Sequence, residues 1–216
     1  MAGKLKAIIF DLDGTIADSF HIGLAAANEL AEKYKYQTIH DSPVIRDLSF
    51  KEFLVSHLKL GGIRLILWAR EVRRILNQKN DDVKIFSGIK DMLIELSKHY
   101  RLGILTSNST INVLKILKNN EIDNFFNFMY TKCPPFGKSR HLKKLIRREC
   151  YSKLDVVYVG DEIRDIDSCI IAGVPIIAVT WGANSEKILR ETGANYYAVK
   201  PWDIVTIASE INSPID

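Results

Sequence analysis

A chain of 216 residues with 47% hydrophobic content can bury a full core, and its length fits one domain or one domain carrying an insertion. No apolar run approaches the roughly 20 residues that cross a bilayer, and residues 4–10 meet Asp11 too early for a signal peptide, so the expected location is cytoplasmic, without a membrane partner. The formal net charge of +4 is mild, and the densest basic stretch, 138–148, carries Leu142, Leu145 and Ile146 at helical spacing with no interleaved aromatics, which reads as a solvated helix face and not a nucleic-acid footprint. Cys133, Cys150 and Cys169 are odd in number and widely separated, fitting neither a disulfide framework nor zinc spacing, and are read as reduced thiols.

The first element is a short apolar run, Ala7-Ile8-Ile9-Phe10, which reads as a buried strand. It runs directly into Asp11-Leu12-Asp13-Gly14-Thr15. Side chains two apart in an extended chain share a face, so Asp11 and Asp13 can meet one substrate while Gly14 lets the backbone turn. An Asp-Gly turn that caps the following helix would account for the same string, and this stretch alone does not separate the two readings. Helical periodicity follows at 19–36, 49–59 and 64–77, with turn signals at Ser42-Pro43 and Gly61-Gly62. From Phe86 helix and strand alternate: helix 88–99, strand 102–105, helix 111–118, strand 126–130, helix 139–150, strand 156–159, helix 163–172 and strand 176–179. Such alternation implies an α/β fold with a parallel sheet and right-handed crossovers. The stretch 16–86 is far too long for one crossover, so it is expected to be a small helical domain hung over the strand ends, with 1–15 and 87–216 forming the core. Ligands of open parallel sheets bind outside the carboxyl ends of the strands.

Three later strings fall at that edge. Thr106-Ser107-Asn108-Ser109 follows a strand and precedes a helix, a place where donors bind anionic oxygens, although Ser109 or Thr110 as an ordinary cap fits too. Gly137-Lys138 stands after Cys133-Pro134-Pro135-Phe136, where a lysine held at a helix start can neutralise phosphate. Gly160-Asp161-Glu162-Ile163-Arg164-Asp165 places two carboxylates four apart at a helix start, oxygen ligands suited to magnesium. Capping explains one of these acids, and four acids converging on one strand edge would repel without a cation. The five histidines show no paired zinc spacing; His21, just past the first motif, is placed where a substrate contact is open to it. Trp68, among Leu65, Ile66 and Leu67, is expected to pack the helical insertion.

In this order and at these spacings, the pieces resemble the haloacid dehalogenase superfamily over nearly the whole chain: first motif Asp11 to Thr15, second Thr106, third Lys138, fourth Gly160-Asp161 with Asp165. The insertion, Ala172-Gly173-Val174-Pro175 and Thr180-Trp181-Gly182-Ala183-Asn184-Ser185 look like the phosphoglycolate phosphatase-like branch, in which the last string lies near the site's rim. Ser87-Gly88 replaces the usual Pro-Gly. Thr106-Ser107-Asn108 stands where a hydroxyl residue is commonly followed directly by Asn, leaving Ser107 or Asn108 as the second phosphate contact. The resemblance implies a Rossmann-like core with an all-helical cap, and a magnesium-dependent phosphatase acting on a small phosphorylated metabolite such as phosphoglycolate or a sugar phosphate. Asp11 would be the nucleophile and Asp13 the acid and base. Thr106, Ser107, Asn108 and Lys138 would bind phosphate, and Asp11, Asp13 through its carbonyl, Asp161 and Asp165 would bind metal. A phosphosugar mutase would use the same residues; a non-catalytic binding module would lack some of them. The expected state is a monomer or a homodimer.

Overall fold

The structure, a computed structural model, describes residues 5–79, 83–134 and 137–212. The Pro135-Phe136 pair before Gly137 therefore lies outside the described residues. Six parallel strands, β1 (Ala7–Phe10), β2 (Arg101–Leu105), β3 (Phe126–Tyr130), β4 (Val156–Gly160), β5 (Ile176–Val179) and β6 (Tyr196–Ala198), form one sheet in the order β3-β2-β1-β4-β5-β6. β1 is central and buried at every residue, which is why it reads as an unbroken apolar run. Its side chains alternate between two cores. Ile8 and Phe10 face α6 (Ile89–Ser97), α7 (Thr110–Asn119) and α11 (Pro201–Asn212), while Ala7 and Ile9 face α8 (Lys138–Arg148), α9 (Ile163–Ala172) and α10 (Glu186–Thr192).

Between β1 and α6 the chain makes α1 (Phe20–Asn28), α2 (Ala31–Tyr34), α3 (Pro43–Arg46), α4 (Phe50–Phe53) and α5 (Gly62–Lys79), which bury an apolar cluster of their own. Trp68 is buried in that cluster, its Nε1 donating to Tyr36 Oη at 3.0 Å. The helix expected over 19–36 is broken at 29–30, beside Asn28, whose side chain bonds both the carbonyl and the N–H of Ile39 and pins the returning chain there. The helix expected over 49–59 starts on a Ser49–Glu52 capping box, then widens into a π turn at Leu54–Leu58. The insertion leaves and returns through paired backbone: Asp18 N–H donates to Lys84 O at 2.8 Å and Phe86 N–H to Ile16 O at 3.1 Å. Among the described residues no helix is long and apolar enough to cross a membrane.

Candidate active site

Asp11 directly follows β1, and its N–H still donates to Val159 O at 2.9 Å, so it is held as firmly as a strand residue. One of its carboxylate oxygens accepts the Leu12 N–H at 2.8 Å and the other the Lys138 ammonium at 2.7 Å. Lys138 is the first residue of α8, reached through Gly137 at φ +116°, and is 4% exposed. It also donates to Asp165 Oδ1 at 2.6 Å. Asp165 is the third residue of α9, and its other oxygen takes the Glu162 N–H at 3.3 Å in a capping box. The N-cap is thus Glu162, leaving Asp161 outside the helix and free of the capping role that the sequence allowed it.

Asp161 is fully buried and doubly held, by the Thr15 hydroxyl on Oδ1 and the Ala183 N–H on Oδ2, both at 2.8 Å. Two glycines make room for it. Gly14 has φ +76°, and a Cβ there would stand 2.1 Å from Asp161 Oδ2; a Cβ on Gly182 would come 2.3 Å from Asp161 Cβ.

Asp11, Asp161 and Asp165 bring carboxylate oxygens within 4.8 Å of one another. Burial raises the Asp11 carboxyl to about 6, with Lys138 pulling it back and Asp165 pushing it further up. Asp161 lies well above the ordinary carboxylate range, through burial and then the nearby Glu162, Asp165 and Asp11. Burial disfavours the charged form of Lys138, but Asp11 and Asp165 outweigh it and hold the ammonium charged. Three buried acids against one buried ammonium is a charge deficit that a divalent cation would relieve, and an all-oxygen donor set suits magnesium. The residues present fit such an ion.

Asp13 stands apart from that cluster. Its side chain accepts from Ser19 Oγ at 2.8 Å and from Asn108 Nδ2 at 3.1 Å, facing the cavity beneath the insertion. Thr106 is fully buried after β2, and its hydroxyl accepts the Asn108 N–H at 3.1 Å; Ser107 and Asn108 line the cavity, while Ser109 caps α7. His21 is not brought to the site: it is exposed, its Nε2 lying 3.9 Å from Asp41 Oδ2.

Two features were not read from the sequence. Arg164, between the acids, donates to Glu162 Oε1 at 2.5 Å and stacks 5.0 Å from the Phe50 ring centre, reaching from core to insertion. The signal available was its place inside the fourth motif. The second is a latch: Asn184 Nδ2 donates to Arg46 O at 2.8 Å and Leu48 O at 2.9 Å, Ser185 N–H to Arg46 O at 3.0 Å, Arg46 Nη1 to Gly182 O at 2.7 Å, and Ser185 Oγ to Asp47. Nothing local marks contacts this distant in sequence.

Residues 8–179 match the family described as haloacid dehalogenase-like hydrolase. A phosphoglycolate phosphatase of Synechococcus elongatus is 31% identical over 213 residues, spanning 96% of this chain and 99% of that protein. The pyrophosphatase PpaX of Bacillus mycoides is 24% identical, over 97% of this chain and 99% of its own. A solved haloacid dehalogenase-like hydrolase from Streptococcus pneumoniae superposes with a TM-score of 0.80 at 26% identity, covering 94% of this chain and 98% of that one. With the six-stranded parallel sheet and the acids gathered at its edge, this match makes the chain a member of the haloacid dehalogenase-like hydrolase family.

Proposed function

We propose that the chain is a magnesium-dependent phosphatase that hydrolyses small phosphomonoesters through an aspartyl-phosphate. The observation that carries this reading is the division of labour between two acids two residues apart. Asp11 is buried, fixed by Lys138 and joined to the acid cluster, whereas Asp13 lies outside the cluster and faces the cavity.

Asp11 attacks phosphorus, forming the acyl–phosphate bond as the ester P–O bond breaks, and Asp13 gives its proton to the departing alcohol. Asp13 then takes a proton from water, which attacks the aspartyl-phosphate and restores the Asp11 carboxylate. Lys138 stays charged throughout and, with the Thr106 hydroxyl and donors from Ser107 and Asn108, faces the phosphoryl oxygens. Asp11, Asp161 and Asp165 with the Asp13 carbonyl would hold magnesium, which when bound would supply the charge compensation that an anion attacking a dianion requires.

Phosphoglycolate, after the curated relative, and sugar phosphates are the first compounds to assay. The test is phosphate release with magnesium and with chelator, against Asp11→Asn. Wild type should turn over only with the ion, and Asp11→Asn should fall by more than about a thousandfold while keeping its circular dichroism spectrum. Turnover retained in that variant removes Asp11 as nucleophile. Isomer formed without phosphate release would select the mutase chemistry.

A further inference from the structure

Resting on that phosphatase reading, the shape of the space beyond Asp13 narrows the substrate. A cavity of about 380 Å³ opens from Asp13, Asp161 and Asn108 into the insertion, within the size range of pockets that enclose organic ligands. Its walls there are Leu24 of α1, Phe50 and Phe53 of α4, and Trp68, Val72 and Leu76 of α5. All but Trp68 are only half-buried although they pack on the insertion's apolar cluster. The surface they leave uncovered faces the route that a leaving group takes.

Glycolate is a poor occupant for such walls: it is a two-carbon acid whose carboxylate would need a cation in exchange for its water. The arginines that line the cavity are Arg164 and Arg73. Arg164 donates one bond, to Glu162, another residue of the cavity wall, and is stacked on Phe50; its buried Nε has no hydrogen-bond partner among the described residues, but Glu162 already offsets its charge and sets a like charge against an incoming carboxylate. Arg73 is exposed, so its pull on a carboxylate is that of a screened surface pair. An apolar body, by contrast, covers five half-exposed side chains and brings no second carboxylate to Glu162.

We propose that the preferred substrate is a phosphomonoester of a largely apolar alcohol, aryl or alkyl, whose body lies among Leu24, Phe50, Phe53, Trp68, Val72 and Leu76. The experiment compares kcat/KM of the full chain with magnesium on 2-phenylethyl phosphate, ethyl phosphate and 2-phosphoglycolate. The first two release primary alcohols of similar acidity, so their ratio reports binding in the cavity and not leaving-group ability. 2-Phenylethyl phosphate should exceed each of the others by at least tenfold. Leu76→Glu, which puts a carboxylate on the wall, should cut the phenylethyl-to-ethyl ratio by tenfold or more; Leu76→Met, which keeps the wall apolar, should hold that ratio within about threefold.

Phosphoglycolate turned over faster than 2-phenylethyl phosphate, or equal rates on the two alkyl esters, overturns this inference and leaves the phosphatase reading standing. A ratio unmoved in folded Leu76→Glu also overturns it. No magnesium-dependent turnover above the Asp11→Asn background on any ester defeats the phosphatase reading, and the inference with it.

Discussion

Asp11 carries a charge that the metal-free fold tolerates poorly, and this fixes the sign of a pH effect. Its folded carboxyl titrates at about 6 against an ordinary 3.8, so between those values the folded state holds more proton than the unfolded. The metal-free protein should therefore lose stability as pH rises from about 4 to about 6, by up to about 3 kcal/mol, the reverse of ordinary acid denaturation. Melts of wild type and Asp11→Asn in chelator should converge near pH 4 and separate toward pH 6, the variant melting higher; parallel curves would mean that Asp11 is not destabilising. Gly14 presents the opposite case, a residue defined by what it lacks. Gly14→Ala must place a side chain at φ +76° and displace the Asp161 carboxylate. We expect a loss of more than about 1 kcal/mol by denaturant titration, together with at least tenfold weaker magnesium dependence of turnover.

At the scale of elements, the contacts of α3 with the turn before α10 join the insertion to the core. Asn184 is 5% exposed and satisfies two carbonyls of the insertion while accepting the Ile163 N–H of α9 at 3.0 Å. Asn184→Ala should cost about 1–3 kcal/mol and speed hydrogen exchange at the Ser185 amide, measured by mass spectrometry; unchanged exchange would mean the contact is not maintained in solution. How much of this was legible follows from how local each signal is. The strands from β1 to β5 and the helices α6 to α9 announce themselves by apolar runs and period within a dozen residues, and all four candidate-site strings adjoin such windows. β6, three residues long, and the seven-residue α10 are too short to show a period. The Asn28 bond to Ile39, the stacking of Arg164 on Phe50 and the Asn184 latch depend on residues brought together only by the finished fold.

For the whole molecule, a cation bound by the acids at the sheet edge would act as a folding ligand. Magnesium at a hundred times its dissociation constant should add about 2.7 kcal/mol, which for a chain of this size raises Tm by about 5 to 10 °C in calorimetry. Asp161→Asn should lose most of that increment, and a wild-type Tm indifferent to magnesium would argue that the cluster binds no ion. The residue-scale and element-scale features meet in the segment 182–185. Ala183 gives Asp161 its backbone donor, while Gly182, Asn184 and Ser185 grip α3 and the residues after it. One peptide segment thus has two clients, and moving it for either disturbs both. By thermodynamic reciprocity, if a substrate that keeps the insertion down were to tighten the hold on a cation at Asp161, the cation would hold that substrate more tightly by the same factor. Product departure would then be timed by how readily four residues of loop let go.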